Sequence, residues 1–283
     1  MTDSDWRRER SLARADGMAR TCWRVRSARA ENVGVRSVSL RALVVAGILA
    51  AGCAGPPGAG PAPRQGAASR AIPVSRALAG VPRAPAAGAA RVAVYRAGPT
   101  VIPAAMRRRM IGVSWHPSCP VQLGRLRLLT VSYWGFDHGV HQGQLIVNES
   151  AARALDRAFG LLFAARYPIR QIRPVDVFGG SDECSMLADA TSAFNCRRVR
   201  GATSWSEHAY GLAVDLNPFE NPQVLGGFID PSAAAAWADR SRRSPAMIRH
   251  GDAAWRAFAS VGWKWGGDWT YPKDYQHFSA NGR

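Results

Sequence analysis

From residue 111 onward, the apolar positions recur with periods that predict short strands and helices in alternation. Residues 125–134 (Arg-Leu-Arg-Leu-Leu-Thr-Val-Ser-Tyr-Trp) read as a strand, Asp137-His138-Gly139 as a turn, and Gln144 to Asn148 as the returning strand of a hairpin. Asn148 is placed to cap a helix over about 150–165, in which Ala151, Leu155, Phe159, Leu162 and Phe163 share one face and which Pro168 ends. Ile169 to Val177 predicts another strand, 179–195 a polar loop, and 217–248 an inserted excursion with one short Ala-rich helix. Gly251-Asp252 opens a helix running to about Ser260, and the Trp263 to Trp269 run leads into a last strand bearing His277. Strands and helices mix without a βαβ rhythm, so the expected class is α+β, a single domain with a central antiparallel sheet flanked by helices.

Upstream the pattern is different. Residues 41–52 form a short apolar run behind an Arg-rich lead, the layout of a signal peptide and too short for a comfortable membrane span of about 20 residues. Cys53 follows Ala50-Ala51-Gly52, which resembles a lipoprotein cleavage box, although Ala50 stands where a larger aliphatic is usual. The expectation is therefore export to the cell envelope, either anchored to the membrane through a lipidated Cys53 or secreted to the wall. The lead is long, and Met18 or Val35 are alternative starts of translation. From 54 to 110 the chain is mostly Ala, Gly, Pro and Arg, a composition that buries too little apolar surface to offset its ordering entropy. The predicted organisation is an export segment over 1–53, a disordered linker over 54–110 and a folded domain over 111–283.

Charge follows the same division. The net +17 splits into +5 over 1–53, +9 over 54–110 and only +3 over 111–283. A nucleic-acid-binding domain carries its basic excess on the fold; here the excess lies outside it, so nucleic acid is not an expected partner, and a monomer is expected.

Of the five cysteines, Cys22 precedes the expected cut and Cys53 is the lipid candidate, leaving Cys119, Cys184 and Cys196. An exported protein should oxidise one pair. Cys119–Cys196, which would pin the leading loop of the domain beside the site, is favoured over the local Cys184–Cys196 pairing. His116, His138, His141 and His250 sit in loops or at strand starts and are expected to be structural or exposed.

The chemistry concentrates in two places. Ser206-Glu207-His208-Ala209-Tyr210-Gly211-Leu212-Ala213-Val214-Asp215 puts an imidazole and a carboxylate seven residues apart, with Gly211 to let the chain turn between them. Asp274-Tyr275-Gln276-His277 supplies a second imidazole and a second carboxylate. His208, Asp215 and His277 make a sufficient set of protein ligands for a catalytic zinc that keeps a fourth position open to water. Asp274 is then placed to act as general base. Arg197 and Arg198, just upstream, are candidates to bind a substrate carboxylate.

Three pieces, Ser206-x-His208-x-x-Gly211-x-Ala213-x-Asp215, Trp265-Gly266-Gly267-Asp268-Trp269 and Asp274-x-x-His277-Phe278, together resemble the VanY-like zinc peptidases of the bacterial cell wall. That family includes D-alanyl-D-alanine carboxypeptidases and L-alanyl-D-glutamate endopeptidases, and the Trp-Gly-Gly-Asp-Trp element is more like the second branch. The likeness spans roughly residues 115–283. It implies a VanY/hedgehog-type peptidase fold, zinc held by His208, Asp215 and His277, Asp274 as base, Ser206 in support of the substrate site and peptidoglycan stem peptides as substrate. The family's substrate-binding arginine sits in a short element well upstream of the first motif; the nearest analogue here ends on Arg197, close to His208. The alternative expectation is a wall-binding lipoprotein that keeps the fold without catalysis.

Overall fold

The computed structural model describes Cys22 and residues 93–283. The apolar run 41–52, the lipidation candidate Cys53 and the linker up to residue 92 lie outside the described residues.

The predicted hairpin is the framework of the domain. Strand β2 (Leu126–Trp134) pairs antiparallel with β3 (Val140–Asn148), in register from Leu126 opposite Asn148 to Trp134 opposite Val140. Alternation on β2 sends Leu129 and Val131 into the main core and Leu126 and Leu128 into a smaller one on the opposite face. The main core is closed by helix α2 (Ala152–Ala164), which buries Leu155, Phe159, Leu162 and Phe163 as its spacing predicts. Asn148 does not cap this helix. Its Oδ1 accepts from Ser150 N (3.1 Å) and its Nδ2 donates to Tyr210 O (2.9 Å), so the residue ties the hairpin to the segment carrying His208.

The folded part begins earlier than residue 111. Strand β1 (Ala97–Val101) pairs with β2 from Ala97 opposite Val131 to Val101 opposite Arg127, and helix α1 (Ala104–Met110) follows. Four of the five β1 residues are exposed, so no alternation marks an edge strand held by backbone pairing. Helix α1 hides in linker-like composition, yet it buries Met110 beside Ile102, Leu126 and Phe194, with Arg107, Arg108 and Arg109 at its favourable carboxyl end.

The strand expected over 169–177 contracts to β4 (Gln171–Ile172), because Pro174 has no N–H to continue a ladder and initiates the 3₁₀ turn Val175–Phe178. The expected polar loop contains helix α3 (Asp182–Leu187): Ser181 Oγ accepts from Cys184 N (3.2 Å), and Asp182 and Glu183 occupy the first turn. Strand β5 (Ala190–Thr191) runs parallel to β4.

Beyond β5 lie helix α4 (Glu207–Tyr210), strand β6 (Ala213–Asp215), the hairpin β7 (Gln223–Leu225) and β8 (Phe228–Asp230), and helix α5 (Ala253–Ala259). Asp252 caps α5 as predicted, its Oδ1 accepting from Trp255 N at 2.8 Å. The Ala-rich stretch of the excursion is a 3₁₀ turn, Ser232–Trp237. Then come β9 (Lys264–Trp265), β10 (Lys273–Asp274) and β11 (His277–Ser279). The expected central sheet is divided: β1-β2-β3 forms one antiparallel sheet, β6-β11-β9 a second and β10-β7-β8 a third. Segment 190–196 stitches the first two together, with Phe194 N donating to Ile146 O (2.9 Å) and Ser192 and Asp215 exchanging two backbone hydrogen bonds (2.9 and 3.1 Å). Beneath β11, the Phe278 ring stacks on Phe258 (4.0 Å), which meets Phe159 of α2 edge-on.

The Cys119–Cys196 disulfide forms as favoured. Cys184 is not left over, because it is bonded to Cys22. A chain cut before Cys53 would lose that partner and carry Cys184 as a free thiol.

One buried pair sets a pH dependence. Burial, with the neighbouring Asp189 carboxylate adding to it, pushes the Glu220 carboxyl up to about 8. Below about pH 4.5 folded and unfolded chains both hold this proton. Between there and about pH 8 the unfolded chain releases it and the folded chain keeps it, so Glu220 draws stability down as pH rises. Glu220→Gln removes that slope. The variant is expected to gain on the order of 2 kcal/mol over wild type at pH 8.5 and little at pH 4.5. Thermal melts at the two pH values check this, and a difference that does not grow with pH contradicts it.

Candidate metal centre

The site is assembled on the antiparallel pair β6–β11, where His277 lies directly opposite Asp215. His208 arrives from the single turn α4. Ser206 Oγ accepts from His208 N (3.3 Å) at the start of that turn. Ser206 therefore acts on the site through the backbone of His208. Gly211 ends the turn at φ +70, and a Cβ there would meet Asn148 N at 2.6 Å, so both the left-handed backbone and the close approach to β3 require glycine.

Three side chains converge. His208 Nε2 lies 3.1 Å from Asp215 Oδ2, His277 Nδ1 lies 3.3 Å from Asp215 Oδ1, and the two ring nitrogens are 3.2 Å apart. All three residues are at most 6% exposed. The far nitrogen of each ring faces a backbone carbonyl, which can only accept: His208 Nδ1 donates to Ala193 O (2.5 Å) and His277 Nε2 to Arg283 O (2.9 Å). Each near nitrogen is therefore left with a lone pair in the neutral ring, and the two lone pairs and a carboxylate point at one another. Burial works against ionisation of Asp215, but proton-bearing His208 and His277 beside it override this and hold the carboxylate far below the usual range; with the rings neutral, a bound cation would supply that positive charge instead. Such a cluster of donors is stable around a cation. The spacings fit one as well: a tetrahedral ion at about 2.0 Å from each donor separates them by about 3.3 Å. The residues predicted as ligands are therefore brought together, and they fit a divalent metal.

Asp274 is the fourth member. Strand β10 places it opposite Gln223 of β7, whose Nε2 donates to Asp274 Oδ2 at 2.7 Å. Oδ1 is buried and has no hydrogen-bond partner among the described residues. Burial pushes this carboxyl up to about 6; His277 and the Gln223 amide oppose the rise and Asp215 adds to it. A carboxylate so placed has one oxygen held and one free to accept a proton.

Two tryptophans flank the strand that carries His277. Trp265 Nε1 donates to Tyr275 O (2.8 Å), and the Trp269 ring lies 5.4 Å from that of His277. Gly266 lets the chain pass under Asp274, since a Cβ there would meet Asp274 O at 2.6 Å.

Arg197 approaches from the stitching segment. Its Nε pairs with Asp182 Oδ2 at 3.1 Å. Burial works against its charge, but Asp182, then Asp215 and Asp274, more than offset this and hold the guanidinium above its ordinary value. Arg198 points away, over the exposed side of Trp205 at 3.5 Å, so of the two candidate cations only Arg197 faces the site electrostatically. The remaining histidines stay apart as expected: His141 pairs with Asp137 and His250 with Asp268 at exposed positions, and His138 occupies the turn. His116 lies 3.4 Å from Cys196 Sγ, but both nearby sulfurs are spent in the disulfide.

Sequence reasoning missed Gln223, Asp182 and the carbonyls of Ala193 and Arg283. None carries a local signal, because each acquires its partner across at least six and up to 51 residues of chain.

Comparison with known families agrees with the geometry. Residues 200–280, which contain all three candidate ligands and Asp274, match the family described as D-alanyl-D-alanine carboxypeptidase. The match makes this C-terminal segment similar to that peptidase family. No curated protein and no solved structure is found to match it.

Proposed function

We propose that this VanY-like chain is a zinc-dependent peptidase that cuts the peptide stems of peptidoglycan and works in the cell envelope. The observation that carries the reading is the closed trio of His208, Asp215 and His277 with the unpartnered Asp274 Oδ1 beside it. Two imidazoles and one carboxylate are the donor set of catalytic zinc sites, which keep one position for water or substrate.

Zinc held there supplies a Lewis acid that polarises a carbonyl and brings the pKa of water from about 16 towards about 7. The protein does the rest. Asp274 Oδ1 accepts the proton of the attacking water and returns it to the leaving amine, and Gln223 holds the other oxygen. Arg197, charged and adjacent, meets a carboxylate of the stem peptide. Ala193 O and Arg283 O keep the two imidazoles in the ligand tautomer.

Stem peptides suit this arrangement because every bond in question lies near a free carboxylate. The basic residues outside the domain favour an anionic wall over nucleic acid, and the site is complete within one copy of the chain.

Digestion of defined stem peptides, followed by mass spectrometry, tests the proposal. Loss of a terminal D-alanine identifies a carboxypeptidase, and a cut after L-alanine an endopeptidase. Either activity should vanish with a chelator and return with zinc. Stem peptides left whole by a zinc-loaded protein, even if bound, would overturn the proposal.

A further inference from the structure

The hairpin β7–β8 lies in the excursion between the two motif clusters, and nothing in the motifs gives it a role. Its first residue nevertheless touches the base. Gln223 sits opposite both Asp274 on β10 and Asp230 on β8, so the three are abreast across the small sheet. The base of the hairpin is fastened from two sides. Arg200 Nη2 pairs with the Asp230 carboxylate at 2.5 Å, and Gln276 Nε2 reaches Asp230 O at 3.4 Å. Gln223 is thereby delivered to Asp274 by a fixed backbone, and its amide donates to Oδ2 at 2.7 Å.

We propose that Gln223 is the positioning residue for Asp274, holding one carboxylate oxygen so that the other is the single proton acceptor of the site. This rests on Asp274 being the base of the reaction proposed above. The chemistry of the amide suits the task. A carboxylate with both oxygens free rotates about its last side-chain bond, a broad torsion with no strong preference. One donor on Oδ2 removes that freedom and leaves Oδ1 unpartnered.

A neutral donor also has an advantage over a charged one. Lysine or arginine at 223 would hold the carboxylate but pull down its basicity, and glutamate would set a third buried carboxylate beside Asp274 and Asp215. Glutamine orients Asp274 while leaving it a base. It must present Nε2 to do so, because an ionised carboxylate only accepts.

Gln223→Met, which keeps length and removes the donor, and Gln223→Leu, which keeps similar bulk and removes it, form the test. In zinc-loaded protein we expect kcat on stem peptides to fall about tenfold to a hundredfold in both, with KM and bound zinc unchanged, part of what general base catalysis supplies. In an Asp274→Ala background, Gln223→Met should change kcat by less than about twofold, because the group it positions is gone. Undiminished kcat in the single variants overturns the proposal. So does a full additional loss in the Asp274→Ala background, the mark of a merely structural residue.

A second readout needs no substrate. Crystal structures of the zinc-loaded wild type and Gln223→Met should show the Asp274 carboxylate ordered in the first and rotated or split in the second. An identical, ordered carboxylate in both overturns the positioning role. A wild type that leaves stem peptides whole overturns the peptidase reading, and the carboxylate readout then still decides the role of Gln223.

Discussion

Replacing Asp274 with alanine is expected to lower kcat on stem peptides by about a hundredfold to ten-thousandfold, the range general acid–base catalysis supplies, while bound zinc stays at the wild-type level. The separation of the two effects follows from geometry. His208, Asp215 and His277 converge on one point through atoms 3.1–3.3 Å apart, and Asp274 is not among them. Its Oδ2 is occupied by Gln223, and its Oδ1 has no partner among the described residues. Truncation removes the proton acceptor and leaves the ligands in place. KM should move little, because Arg197 is untouched. Some turnover should remain, since positioning and electrostatics survive loss of the base. Metal analysis and steady-state kinetics on one defined peptide check this. A variant as active as wild type would remove Asp274 from the mechanism, and a variant that loses its zinc would make it a ligand.

Asp215→Asn is expected to have the opposite signature, with metal affinity falling more than about a hundredfold and activity falling with it. Asp215 is the one anionic donor of the three, and both imidazoles lie against it. The substitution preserves volume in a position only 4% exposed, so the packing of β6 against β11 should survive. What changes is charge and hydrogen-bond sense, since an amide directs a donor where a carboxylate offered lone pairs. Ligands must face a metal unprotonated, and two neutral imidazoles alone hold zinc poorly. Competition with a chromophoric chelator measures the affinity. Thermal melts give a second readout: zinc at 100 times its Kd should stabilise the wild type by about 2.7 kcal/mol and the variant hardly at all. Equal stabilisation of both would exclude Asp215 as a ligand.

These two outcomes are predictable because the site was largely legible in the chain. His208 and Asp215 are separated by one helical turn, one glycine and three apolar residues, and that pattern is local. His277 and Asp274 form a second local cluster. The β2–β3 hairpin and α2 were legible for the same reason, since alternation and helical spacing mark elements that bury one face. Where burial does not mark an element, the pattern is silent. Strand β1 is exposed and is held by pairing alone, and helix α3 has a good N-cap inside a polar stretch that reads as a loop. The disulfide of Cys184 with Cys22 is an extreme case, because its two ends are 162 residues apart.

By itself, then, the sequence singled out the side chains that could hold a metal and the carboxylate that stands beside them, since donor type and short-range spacing are properties of the chain. Only the tertiary structure decided how those groups are aimed. Carbonyls of Ala193 and Arg283 select the ring nitrogens, Ser206 caps the turn that delivers His208, and an amide from the excursion hairpin holds Asp274. Orientation is a matter of hydrogen bonds between segments that only the fold brings within 3.5 Å, and no period or spacing along the chain records them.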